Sequence, residues 1–139
     1  MDANTQIITT LAGNGTTAYC GDGGPASNAC LFAPLGVAVD AAGNVVIADT
    51  GNQRIREVDA ISSLITTIVG NGSKGFSGDG GLAVNAELNF PLAVAIDASM
   101  KMYVGDADNN RVRVVAPSVE GSFALLRMTA AGSPFAHAR

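Results

Sequence analysis

Short apolar runs alternate along this chain with breaks rich in glycine, proline, asparagine and aspartate. Residues 7–12 (Ile-Ile-Thr-Thr-Leu-Ala) are β-branched and apolar and stop at Gly13-Asn14-Gly15, which predicts a strand ended by a turn. Residues 16–33 form a long insertion around Gly21-Asp22-Gly23-Gly24-Pro25, a composition suited to tight turns with positive φ. From Pro25 to Leu31 the pattern predicts a short helical turn with proline in first position. Residues 35–40 and 45–48 are almost continuously apolar, which predicts two inner strands buried on both faces. Asp40-Ala41-Ala42-Gly43-Asn44 supplies the antiparallel turn between them. Residues 54–58 (Arg-Ile-Arg-Glu-Val) alternate polar with apolar, as an outer, half-exposed strand does. Residues 65–69 predict a fourth strand. No 3.6-residue period appears, and glycine and β-branched residues are too dense for helices.

The same pattern is then written again. A shift of 57 residues lays Ile65 on Ile8, and nearly half of the aligned positions are identical over residues 8–59 and 65–116. Gly21-Asp22-Gly23-Gly24 meets Gly78-Asp79-Gly80-Gly81, Asp49 meets Asp106, Asn52 meets Asn109, and Arg54-x-Arg56 meets Arg111-x-Arg113. Self-similarity at a fixed period signals a repeat architecture. Four antiparallel strands per period, apolar inside, predict an all-β chain of about two β-propeller blades, an incomplete propeller. The expected organisation is a leading strand at 1–12 that completes a neighbouring blade, one blade at 13–69, a second at 70–116, and a degenerate strand and tail at 117–139. In the second repeat strands are expected near 92–97, 102–105 and 111–115, and Met100-Lys101 replaces Gly43-Asn44, weakening that hairpin turn. Residues 123–128 offer a substitute fourth strand, and the end from Gly132 reads as a frayed tail.

Composition sharpens this picture. A 139-residue chain with 47% hydrophobic residues packs a core, and its net charge of −4 argues against nucleic acid as a partner. No apolar run approaches the roughly 18–20 residues of a membrane span. No signal peptide is visible at the start. The two cysteines, Cys20 and Cys30, lie in the first insertion, and the second repeat has Ser77 and Glu87 in their places. Two readings stay open: a disulfide closing that loop, which would fit an oxidising compartment, or two unrelated thiols.

Candidate chemistry is sparse. Gly21, Asp22, Gly23 and Gly24, with Gly78, Asp79, Gly80 and Gly81, form either a cation or phosphate loop or a structural loop whose aspartate accepts hydrogen bonds from neighbouring amides. One aspartate per loop favours the structural reading. Asp106-Ala107-Asp108-Asn109-Asn110 opens like a calcium loop but has Arg111 and Pro117 where glycine and glutamate are required. Asp49, Asn52 and Arg54, with Asp106, Asn109 and Arg111, are expected to lock the turn between second and third strands. Arg54, Arg56, Arg111 and Arg113 either grip a carboxylate partner or stand as solvated charges on an outer strand. The only histidine, His137, lies in the tail, so one chain carries no His-based triad. No catalytic residue, cofactor or metal ligand is assigned.

The phrases Gly-Asp-Gly-Gly-Pro-Ala, Pro-Leu-Gly-Val-Ala-Val-Asp-Ala-Ala-Gly-Asn and Ile-Ala-Asp-Thr-Gly-Asn-Gln-Arg-Ile-Arg closely resemble the long form of the NHL repeat. The likeness runs from Ile7 to about Ala116. It implies a propeller, most often of six blades, that serves as a scaffold for protein or ligand binding, in parent proteins that include extracytoplasmic sensors. The alternative it carries is a fragment of a lyase- or lactonase-type propeller enzyme with a carboxylate-lined axial site. Two blades do not close such a ring. Either the chain is part of a longer one, or copies of it assemble and exchange the first strand.

Overall fold

The computed structural model describes residues 6–117. Seven strands form two antiparallel sheets in simple up-and-down order. The first holds β1 (Pro34–Val39), β2 (Val45–Asp49), β3 (Arg54–Val58) and β4 (Ile65–Val69); the second holds β5 (Pro91–Ile96), β6 (Met102–Asp106) and β7 (Arg111–Val115). The registers match one for one: Asp49 pairs with Arg54 as Asp106 pairs with Arg111, and Val45 with Val58 as Met102 with Val115. These are two propeller blades, and the chain is all-β. Single turns of 3-10 helix at Ala26–Asn28 and Ala83–Asn85 stand in the insertions, the first directly after Pro25. Among the described residues no helix is long and apolar enough to cross a membrane.

Alternation along each strand decides which way each blade faces. Val46, Ala48 and Ile55 leave one side of the first sheet and join Leu88, Met102 and Val104 of the second repeat in one buried cluster. Each of these side chains larger than alanine contributes roughly 1.5–3 kcal/mol on burial. Ile47, Val58 and Ile65 leave the other side and pack on Ala26 and Ala29 of the insertion. The blades meet most tightly near their inner strands: a Cβ on Gly36 would stand 2.7 Å from the Leu92 carbonyl oxygen. Two bonds pin the junction. The Thr50 hydroxyl donates to the Pro91 carbonyl at 2.6 Å, and the Phe90 amide donates to the Gln53 side-chain oxygen at 2.7 Å.

The insertion covers the outer edge of its own blade. The Gly23 amide donates to the Ile65 carbonyl (2.7 Å), and the Ile65 amide donates to the Gly24 carbonyl (3.0 Å). The Ile65 end of the β4 edge is thereby satisfied.

Two strand expectations need correction. The inner strand β1 is not buried on both faces: Leu35, Val37 and Val39 are 61–65% exposed. An inner strand is apolar because a blade sits between two neighbours, and among the described residues blade one has a neighbour on one side only. The third strand β3 is not half-exposed; four of its five residues are buried, because the insertion folds over it. Residues 7–12 form no ladder with the described residues; β1 to β4 take the four strand positions of the first blade. The segment from 123 to 128 and the tail lie outside the described residues.

Candidate functional site

The chemistry of each repeat gathers around one arginine of the third strand. Arg56 is fully buried. Its Nη1 donates to Asp49 Oδ2 (2.8 Å) and the Cys30 carbonyl (2.9 Å), its Nη2 to the Cys20 carbonyl (3.0 Å) and Asp22 Oδ1 (2.9 Å), and its Nε to Asp22 Oδ1 (3.1 Å). A guanidinium has five N–H donors, and all five are engaged. Asp49 is equally committed, accepting from the Phe32 amide and Asn52 Nδ2 at 2.8 Å each. A buried ion pair holds when its remaining donors and lone pairs are satisfied in this way.

The second repeat rebuilds the set. Arg113 donates to Asp106 Oδ2 and the Glu87 carbonyl (3.0 Å each), to the Ser77 carbonyl (2.8 Å) and to Asp79 Oδ1. The differences sit on the outer side. Asp22 also accepts from the Thr67 hydroxyl and the Tyr19 hydroxyl, both at 2.6 Å, and its side chain is 29% exposed. The Asp79 side chain is 69% exposed.

Half-burial pushes the Asp22 carboxyl up, but the hydrogen bonds from Thr67 and Tyr19 and the Arg56 charge outweigh it and hold the group below its ordinary range. Asp97, at the exposed turn between β5 and β6, is held down to about 2, chiefly by the Ser99 hydroxyl and the Lys101 amide. The phenol of Tyr103 is raised in turn by its bond to Asp97.

The expected site residues separate into two groups. Asp49 with Asn52, and Asp106 with Asn109, do meet at the turn, at 2.8 Å in each repeat. Arg54 and Arg111 reach the same turn through the Asn52 and Asn109 carbonyls, at 3.5 and 3.3 Å, but are not the arginines on those aspartates. Arg54 stacks on the Tyr19 ring at 3.6 Å and reaches the Asn71 carbonyl at 3.2 Å, while Arg111 stacks on Phe76 at 3.9 Å. Arg56 and Arg113 take the clamp position, so neither is a solvated surface charge. The aspartates of the Gly-Asp-Gly-Gly loops accept chiefly from side chains, not from neighbouring amides. Asp108 is exposed and outside the clamp. Cys20 and Cys30 are joined by a disulfide, and theirs are the two carbonyls that receive Arg56. Ser77 and Glu87 make the same bridge without a covalent bond. The signal for the clamp was in the sequence: Asp22, Asp49 and Arg56 all recur in the second repeat. Among the described residues no group of three or more His, Cys, Asp or Glu is arranged to hold a metal ion.

The model of the teneurin NHL domain matches residues 3–75. The chain belongs to the teneurin NHL domain family. Human Teneurin-1 is 34% identical over 111 residues, covering 70% of this chain and 4% of that protein. Protein SUPPRESSOR OF QUENCHING 1, chloroplastic, of Arabidopsis thaliana is 28% identical over 92 residues, covering 66% of this chain and 8% of that protein. This NHL chain thus spans less than a tenth of the curated relatives it matches. A structural genomics protein of unknown function from Bacteroides thetaiotaomicron superposes with a TM-score of 0.68 at 20% identity, over 76% of this chain and 26% of that one. An auxiliary nutrient binding protein from the same organism gives 0.62 at 23% identity, over 81% and 30%. These two likenesses concern the fold.

Proposed function

We propose that this NHL module is a binding scaffold for a protein or small ligand, with no catalysis of its own. The observation that carries this reading is the saturation of the two clamps. Arg56, Arg113, Asp49 and Asp106 are spent on each other and on the carbonyls and amides of the loops. What the clamps do is hold the insertions rigid and present their outer rims. Preorganised loops bind at lower entropic cost than mobile ones. Tyr19 and Phe76 occupy matched positions on those rims and are each 40% exposed, and aromatic anchors of this kind dominate binding surfaces. The family assignment supports a scaffold role, and the same blade fold is found in a nutrient-binding protein.

A peptide-display selection against the chain, followed by calorimetric titration of the selected peptide, tests this. The expected result is saturable binding that Tyr19→Ser and Phe76→Ser weaken about tenfold, which is the loss of roughly 1.4 kcal/mol. Hydrolysis of γ-lactone and ester probes should stay at the buffer rate. Turnover that copurifies with the chain would overturn the reading.

A further inference from the structure

The first blade shows what fills a place that stands open among the described residues of the second. In the first, β4 lies between β3 and the glycine loop: Ile65 exchanges bonds with Gly23 and Gly24, and Thr67 donates to Asp22. In the second, among the described residues, the same place is an open cleft of about 370 Å³ between residues 78–83 and residues 113–116. Asp79 looks into it, without the threonine that covers Asp22.

A segment with the sequence of β4 exists elsewhere in the chain. Ile8-Thr9-Thr10 repeats Ile65-Thr66-Thr67, and Ile8 is 93% exposed. That segment cannot be the one beside its own β7. It runs into Gly13 and Asn14, whose amides are fixed on the Ala26 and Ala29 carbonyls at 3.0 and 2.8 Å. Those residues lie on the side of the first sheet turned away from the second blade. We infer that residues 7–12 of a second copy of this chain fill the cleft as an outer strand of the second blade, so that copies join head to tail.

Two independent features fit the same junction. The first is the faces. Leu35, Val37 and Val39 match Leu92, Val94 and Ile96, of which Val94 and Ile96 pack in the cluster shared with blade one. Tyr103 and Val112 match Val46 and Ile55, the surface they pack on. The first set is exposed at one end of the chain and the second set at the other. The second feature is charge. Arg54 donates to the Asn71 carbonyl, and its guanidinium fills the space over Gly72, where a Cβ would stand 2.5 Å from Nη1. The matching space over Gly15 is open, with nothing within 4 Å. Arg111 of a second copy brings the cation for that space, with the Asn14 carbonyl as its acceptor. A junction of this heterologous kind propagates until it closes. The sequence departs from the internal junction at two points. Ala93 stands for Gly36 and Ala107 for Thr50, so the joint between copies is looser than the one within a chain.

Sedimentation of the 139-residue chain over a dilution series tests this. The expected result is reversible association that Ile8→Asp abolishes and Thr10→Val weakens about tenfold, the usual order for a lost charge-assisted hydrogen bond. Ala93→Gly should tighten it, by giving back the close approach that Gly36 allows. Far-ultraviolet circular dichroism of Ile8→Asp should match the parent, since Ile8 touches little in one chain. A chain that stays monomeric at all concentrations overturns the proposal. So does association indifferent to Ile8→Asp, which would mean that residues beyond 117 or another surface fill the cleft.

Discussion

Arg56 and Asp49 form an ion pair with no solvent exposure on either side chain, Nη1 to Oδ2 at 2.8 Å. Arg113 and Asp106 repeat it at 3.0 Å one blade later. Each pair ties the middle of a sheet to an insertion that begins more than thirty residues upstream, through Asp22 and Asp79. The insertion is therefore a structural part of the blade.

Removing one partner of a buried pair strands the other, at a cost of about 3–5 kcal/mol. Arg56→Met is expected to lose that much in urea unfolding. Arg113→Met should lose less, because Arg113 keeps 8% exposure and its second aspartate is mostly in water. Equal losses would contradict the role assigned to burial.

Acid should uncover the Asp22 network. Its carboxyl is held below the ordinary value of 3.8 in the folded chain, so its contribution is complete above that value and is lost as pH falls below it. Thr67→Val removes the hydrogen bond that does most to lower it. The stability gap between parent and Thr67→Val should be widest near neutrality and narrow as pH drops below 3.8. A gap independent of pH in thermal melts would show that Thr67 acts through packing alone.

The disulfide closes a loop with a sequence separation of 10. Chain-entropy arguments put its contribution at about 2–3 kcal/mol. Cys20→Ser with Cys30→Ser should lower the denaturation midpoint accordingly while leaving the fold intact, since Ser77 and Glu87 hold the equivalent bridge without it. Complete unfolding of the double variant would mean that the clamp alone cannot set the loop.

Gly70 has φ +96, and a Cβ there would stand 2.4 Å from the Gln53 carbonyl oxygen. Gly70→Ala should therefore cost more than the roughly 1 kcal/mol of an ordinary left-handed penalty, because backbone at the blade junction must also shift. Its counterpart Gly13 meets only the flexible end of Leu31, at 3.3 Å, so Gly13→Ala should cost less. Calorimetric midpoints of the two variants give the comparison.

The strands were legible in the sequence because period-2 alternation and turn residues are local signals. Arg54–Val58, Ile65–Val69 and Arg111–Val115 fall where the pattern put them. The clamps were half legible. Retention of Asp22, Asp49 and Arg56 in both repeats marked them, but an arginine on an alternating strand looks solvated until a distant loop is known to fold over it. The exposure of β1 was not legible, since apolar residues record the neighbour a blade is built for and not whether that neighbour is in the chain. The loose hairpin at Met100 survives because Asp97 still accepts from Ser99 and Lys101, a bond pattern set by the aspartate and not by the missing glycine.

Everything rests on the two repeats lying blade against blade, and methyl nuclear Overhauser spectra of the labelled chain read this directly. Cross-peaks linking Val46 and Ile55 with Leu88, Met102 and Val104 are predicted, along with strand shifts over β1 to β7. Their absence, with contacts confined within each repeat, would contradict it.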